Sequence, residues 1–441
     1  MKVNIFSRSV FIIFGFIFCI SIANLINPNI FTNFFSTNPT KLFYDIEHYS
    51  NLAINQSCSA FYPLWPWLIS NITRIKTINE AALYFRVFGS LLTFVSIPML
   101  LNLLTQNLRS YKIAILVTAL YAINPLSVFR MIGYTEGIFS VLSLIFLLTL
   151  ADLKIFVNDN SRLIYKLFIL FLSSLLLSLT RPFLIQALIA SVLALVSILI
   201  INKISFRNND LNSLKTFKLH GTATVVIALG ALSGYCIYGY YCLSSRGDFF
   251  APFHDQKLWG KELGLYPQLF FIPLTYADFI SIYFPAIATV IAWLIFISTN
   301  IRKLTFVIPK FWQWILLIGY PPAFLAFYGF DFSKINFSNK PSSSKEISIT
   351  QSAHNMYGSY MFWFCLYFVL IHSIIIVFSD QKLTSLRRFI FGTPYFFVVI
   401  AYISQCFPTR KVSKILLLAL GLSSIWLVQY WLDYSNNIWI G

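Results

Sequence analysis

The chain has 441 residues, of which 58% are hydrophobic, 18% aromatic and only 11% charged. About a quarter of the residues in an ordinary soluble domain are charged, so that class is excluded. A net charge of +17 would point to nucleic acid on a soluble protein, but here Lys and Arg lie in short loops between apolar runs, where the positive-inside rule and anionic headgroups account for them.

Apolar runs of roughly 17 to 25 residues, each enough to cross a bilayer core of about 30 Å, recur along the chain. They predict spanning helices near 10–26, 81–105, 113–130, 135–156, 163–180, 183–204, 219–243, 279–298, 312–330, 357–379, 389–406 and 413–433. The expectation is one all-α polytopic membrane domain over 1–441, with about 11–13 spanning helices. The first run follows Lys2 and Arg8 but leads to no small-x-small cleavage site, so it is read as the first span.

If the N-terminus is cytoplasmic, 17 of the 32 basic residues fall in cytoplasmic loops, among them Arg109, Lys154, Lys382, Arg387 and Arg388. The long connections 27–80, 244–278 and 331–356 then lie opposite, and Arg410, Lys411 and Lys414 fall on the side that the rule disfavours. One misassigned span inverts everything after it. The Ser/Asn-rich stretch 331–356 reads as a flexible polar loop. The six cysteines, without a CxxC pair, read as small core residues and not as a disulfide framework or zinc site.

The acids are more informative. Ten of the fifteen (Asp45, Glu47, Glu80, Glu136, Asp248, Asp255, Glu262, Asp278, Asp331 and Glu346) lie on or near the non-cytoplasmic face. A membrane-embedded active site or a cation pathway needs such a gathering. In the first long connection, a helix starting near Phe43 and broken near Ser57 leads to a second one entered through Tyr62-Pro63 and Trp65-Pro66. These interfacial helices place Asp45, Glu47 and His48 at the lipid–water boundary. Transfer of a sugar from a lipid phosphate suits that location, because a carboxylate accepts the acceptor's hydroxyl proton while cations hold the leaving phosphate.

Tyr44-Asp45-x-x-His48-Tyr49-x-x-x-Ala53 followed by Ala60-Phe61-Tyr62-Pro63-Leu64-Trp65-Pro66 resembles the PIG-V family of mannosyltransferases. Three further stretches agree in order: Asn124-Pro125-Leu-Ser-Val-Phe129 with Tyr134-Thr135-Glu136; Thr180-Arg181-Pro182; and Ala251-Pro252-Phe253-His254-Asp255-Gln256-Lys257-Leu258-Trp259-Gly260. Arg387-Arg388-Phe389 with Pro394 resembles a late family element, but the span count puts it on the cytoplasmic side, so either the span near 312–330 is re-entrant or the resemblance ends before it. Tyr44 stands where the family has Trp, and Gln56-Ser57-Cys58 replaces its Gly-Tyr. The resemblance implies a GT-C glycosyltransferase-like fold and transfer of mannose, or a similar hexose, from a polyprenyl- or dolichyl-phosphate donor to a hydroxyl of a glycolipid or glycan on the extracytoplasmic or lumenal face. A bacterial inner membrane is favoured.

Within that reading Asp45 is the catalytic base, and Glu47 orients a sugar hydroxyl. His48 bonds the donor phosphate or ties the loop to backbone. Glu136 completes the cavity with Asp45, or the helix start is capped by Thr135 or by Glu136 itself. Arg181 binds lipid phosphate or pairs with Glu136. His254, Gln256 and Trp259 close over the sugar, and Arg388 is expected beside the donor phosphate, although the span count puts it on the other side. No cofactor and no metal ligand is assigned, with a divalent cation left open; nucleic acid is not a partner, and a partner subunit is unspecified. A secondary transporter or lipid flippase is the rival from another class, with paired broken helices and internal repeats. A non-catalytic subunit sharing the fold is a third reading.

Overall fold

The structure is a computed structural model and describes residues 5–36, 44–55, 57–156, 159–205, 211–259, 264–271, 276–304, 344–379, 386–436 and 438. Every regular element among them is helical: α1 (Ile5–Ile26), α2 (Asn29–Phe35), α3 (Tyr44–Asn55), α4 (Leu64–Ile72), α5 (Ile78–Asn107), α6 (Tyr111–Ile123), α7 (Ser127–Met131), α8 (Glu136–Asp152), α9 (Asn160–Thr180), α10 (Leu184–Ser205), α11 (Leu211–Arg246), α12 (Ala251–His254), α13 (Tyr276–Leu304), α14 (Ser344–Tyr357), α15 (Tyr360–Ser379), α16 (Leu386–Phe391), α17 (Pro394–Ser404) and α18 (Thr409–Ser435), with short 3-10 turns between some of them. Eight of these are long and apolar enough to cross a membrane, and α14 with α15, bent by 62°, makes a ninth if counted as one span. The chain is a multi-pass helical membrane protein. Phe11, Phe14 and Phe18 of α1 and Ile415, Leu418 and Ile425 of α18 are exposed, as lipid-facing side chains are.

Two of the expected spans are broken instead of continuous. The run at 113–130 stops at Ile123, because Pro125 drives Asn124 to an extended ψ of 134°. The run at 389–406 divides into α16 and α17 at Gly392-Thr393-Pro394. The run at 357–379 is continuous as α15 from Tyr360 on, and the chain turns sharply into it from α14 at Gly358-Ser359. The run at 312–330 lies outside the described residues. So does 331–343, whereas 344–356 is helical, against the expectation of a loop. That stretch contains no Gly or Pro to stop a helix, and Ala353, Met356 and Tyr357 are buried where α14 packs on α13.

These breaks reset the topology. The Arg109 amide donates to Gln405 Oε1 at 3.5 Å, and Lys154 Nζ donates to the Gly358 carbonyl at 2.7 Å, which gathers one end of the bundle. Asn27 meets Ser435 at the other end. Since α15 crosses from the Gly358 end and α17 returns to Gln405, Arg387 and Arg388 fall at the end opposite Arg109, and Arg410, Lys411 and Lys414 start α18 beside it. Both assignments reverse those drawn from the span count; Lys382 lies outside the described residues.

Among the described residues α9 and α11 make the most extensive helix pairing. A Cβ at Gly230 would stand 2.5 Å from the Phe171 carbonyl oxygen and 2.9 Å from Ser174 Cβ, and one at Gly234 would collide with the Leu175 carbonyl. Small residues four apart thus let two backbones touch, which substitutes for the hydrophobic drive that lipid removes.

Candidate active site

Helix α3 lies against α5 and presents Asp45 from its first turn. Asp45 is largely buried, whereas Glu47 is exposed on another face. One turn on, Tyr49 is buried, and burial followed by the charge of Asp45 pushes its phenol pKa up, so it remains a proton donor. The His48 ring stacks on Phe61 with centroids 5.0 Å apart. That stacking packs His48 against the connection after α3.

The opposing wall comes from the turn before α8. Gly133 adopts φ +100°, a conformation that L side chains rarely enter, and a Cβ there would also stand 2.9 Å from Phe85 Cβ. Trp65 Nε1 on α4 donates to the Gly133 carbonyl at 3.0 Å. That turn delivers Tyr134, Thr135 and Glu136, all buried. Thr135 does not cap α8: its hydroxyl accepts from Arg181 Nε at 2.9 Å.

Arg388 closes the site from α16. Its Nη1 donates to Asp45 Oδ2 at 2.9 Å, and its Nε stands 2.8 Å from Glu136 Oε1. Arg181 Nη2 pairs with the same Glu136 oxygen. Two carboxylates and two guanidinium groups therefore form one buried, formally neutral cluster. The Glu136 contacts are charge contacts without hydrogen-bond alignment. Burial opposes the Arg388 charge, but Glu136 and then Asp45 outweigh it and raise its pKa. Aromatic faces line the cations, with Arg388 4.8 Å from the Tyr134 ring centroid and Arg181 4.6 Å from that of Phe389. Asn124 holds α16 in place by donating to the Phe391 carbonyl, while its Oδ1 accepts from the Leu126 amide at 2.9 Å.

The second long connection folds over the first. Cys58 and Cys242 form a disulfide between residues 184 positions apart, which corrects the expectation that all six cysteines are free. Both lie at the Asp45 end, and the lack of a local Cys-x-x-Cys pattern hid a bridge made by tertiary proximity. Tyr238 Oη lies 2.8 Å from both the Ser59 and the Phe61 carbonyl oxygens, which share its one proton. Arg246 pairs with both Asp255 oxygens, at 2.6 and 3.1 Å, and donates to the Cys58 carbonyl at 3.2 Å.

Gln256 Nε2 donates to the Ala60 carbonyl at 3.4 Å, and His254 Nδ1 lies 2.8 Å from Asp248 Oδ2. That His254 contact, together with the Phe250 amide, holds Asp248 below the usual carboxylate range. These contacts run within the two connections and not to the charged cluster. Trp259 ends the 3-10 turn after α12, and its side chain lies outside the described residues, as do Glu262, Asp331 and the side chains of Asp278 and Glu346. Glu80 caps α5 in a reciprocal box with Thr77 and has a structural task.

Of the singled-out residues, the fold thus brings together Asp45, Glu136, Arg181 and Arg388. Tyr49, Tyr134 and Asn124 were missed as site builders, although all three stood inside the quoted stretches. Among the described residues no three of His, Cys, Asp and Glu gather as metal ligands. Comparison of the chain with protein-family models, curated proteins and solved structures found no match.

Proposed function

We propose that the chain is a GT-C type glycosyltransferase resembling the PIG-V mannosyltransferases, and that it moves mannose or a similar hexose from a polyprenyl-phosphate donor to an acceptor hydroxyl. The observation that carries this reading is Arg388 joining Asp45 to Glu136, with Arg181 on the same Glu136 oxygen. A carboxylate able to take a proton and two cations able to hold a phosphate converge, which is the minimum that the reaction needs.

In this mechanism the donor phosphate draws on Arg388 and Arg181, and the Asp45 carboxylate turns to the acceptor hydroxyl. The acceptor oxygen forms its bond to the anomeric carbon as its proton passes to Asp45. The bond from that carbon to the phosphate oxygen breaks, and the phosphate leaves with the electron pair, stabilised by the two guanidinium groups. A single base without a covalent sugar–enzyme intermediate inverts the anomeric centre. The Cys58–Cys242 bridge supports an extracytoplasmic site, since such bonds persist in oxidising compartments. The basic residues at the other end, Arg109 and Lys154 with Arg410, Lys411 and Lys414, support the same orientation.

The test is transfer of radiolabelled mannose from a polyprenyl-phosphate donor in membranes, comparing the native chain with Asp45→Asn. Transfer by the native chain alone supports the reading. No transfer by either returns the chain to the transporter or non-catalytic readings, and equal transfer removes Asp45 from the chemistry.

A further inference from the structure

A cavity of about 390 Å³ opens at the end of the bundle opposite Asp45. Its lining includes Lys154, His220, His354, Asn107 and Asn355, and no Asp or Glu is among the described residues that form it. The described wall is therefore rich in donors, with no acid among them.

His220 is its least satisfied member. It is 2% exposed, its ring stacks on Tyr360 with centroids 4.7 Å apart and planes within 8°, and neither ring nitrogen has a hydrogen-bond partner. Tyr360 does not serve it, because the Tyr360 hydroxyl is shared with Thr224 Oγ1 at 2.8 Å and the Ser191 carbonyl at 3.2 Å. Native proteins seldom leave such nitrogens unmet, and the residue that carries them lines the cavity, which points to a ligand. Lys154 is exposed, and one N–H of its ammonium is used on the Gly358 carbonyl at 2.7 Å. Two donors remain for an incoming group.

We propose that this cavity binds a phosphate group, with Lys154 as the charge partner and His220 as a hydrogen-bond partner. The phosphate comes from an anionic lipid headgroup or from a soluble phosphate. A group with several acceptor oxygens and negative charge suits a wall of ammonium, imidazole and carboxamide donors. The strongly basic end of the bundle concentrates such anions. The site is separate from the Asp45 cluster and does not depend on the glycosyltransferase reading.

The test uses the full chain in nanodiscs, following thermal unfolding and the lipid retained in native mass spectra. In one arm phosphatidylglycerol is added to phosphatidylcholine discs; in the other, inorganic phosphate is titrated against phosphatidylcholine discs alone. Stabilisation in the first arm only assigns a lipid headgroup, and stabilisation by inorganic phosphate assigns a soluble source. Lys154→Met and His220→Phe should each weaken the apparent affinity about tenfold, which is about 1.4 kcal/mol. Lys414→Met, which removes an exposed charge at the same end, should leave it unchanged. Should His220→Phe fail to fold, Asn107→Asp places a carboxylate in the lining and should weaken binding instead. Absence of stabilisation in both arms, or equal loss in Lys154→Met and Lys414→Met, overturns the proposal.

Discussion

Arg388 and Asp45, 343 positions apart in the chain, meet through Nη1 and Oδ2 at 2.9 Å. The same guanidinium reaches Glu136, so loss of the Asp45 charge leaves Arg388 with a partner. Asp45→Asn is accordingly expected to stay folded while mannose transfer falls by about a hundredfold or more. Transfer assays alongside thermal unfolding check this, and a large drop in stability with transfer intact would reverse the assignment.

Glu136→Gln has the opposite signature. It leaves Arg181 with Thr135 alone and Arg388 with Asp45 alone in a buried site. Removing one partner of a buried ion pair costs about 3–5 kcal/mol. The double variant Glu136→Gln/Arg181→Gln should be less unstable than the sum of the single changes, because it removes a stranded cation together with its partner. Unfolding midpoints of the four proteins measure that coupling.

The Cys58–Cys242 bridge is checked by thiol labelling. Exposed Cys236 should react with an alkylating reagent directly, whereas Cys58 and Cys242 should react only after reduction. In Cys58→Ser the stretch from Gly247 to Asp255 should become more sensitive to protease, since Arg246 and Gln256 then hold it without the covalent tie. Two free thiols in the unreduced native chain would contradict the bridge.

Gly234→Leu should separate α9 from α11. The new side chain meets the Leu175 carbonyl and Ser178 Cβ, which are backbone-close and cannot rotate away. Overpacking of this kind costs about 1–3 kcal/mol, whereas Gly221→Leu, with open space around it, should be nearly neutral. A comparison of the two unfolding midpoints decides the point.

The topology predicts opposite labelling. Single cysteines at Glu47 and Arg410, both exposed, should react with a membrane-impermeant reagent from opposite sides of sealed vesicles. A cysteine at Arg410 labelled from the same side as one at Glu47 would restore the span count drawn from hydropathy.

Hydropathy alone made the chain a helical membrane protein, because apolar runs of spanning length have no other stable state in a bilayer. The sequence also located the two short helices of the first long connection: the prolines at Pro63 and Pro66 mark α4, and the polar turn of Asp45, Glu47 and His48 opens α3. The side on which Arg388 sits was not legible, since breaks at Asn124-Pro125 and Gly392-Thr393-Pro394 turn long apolar runs into shorter pieces without lowering their hydropathy.

The sequence by itself determined the scarcity of charge and the residue types that chemistry at a membrane surface needs. Asp45, Glu136, Arg181 and Arg388 stand out because so few charges lie near apolar runs in this chain. Only the tertiary structure decided which of those charges pair, that Thr135 serves Arg181 instead of capping α8, and that Cys58 finds Cys242. Ion pairs and disulfides depend on distances of a few ångströms between segments far apart in the chain. Those distances are set by helix packing, and local composition carries no record of them.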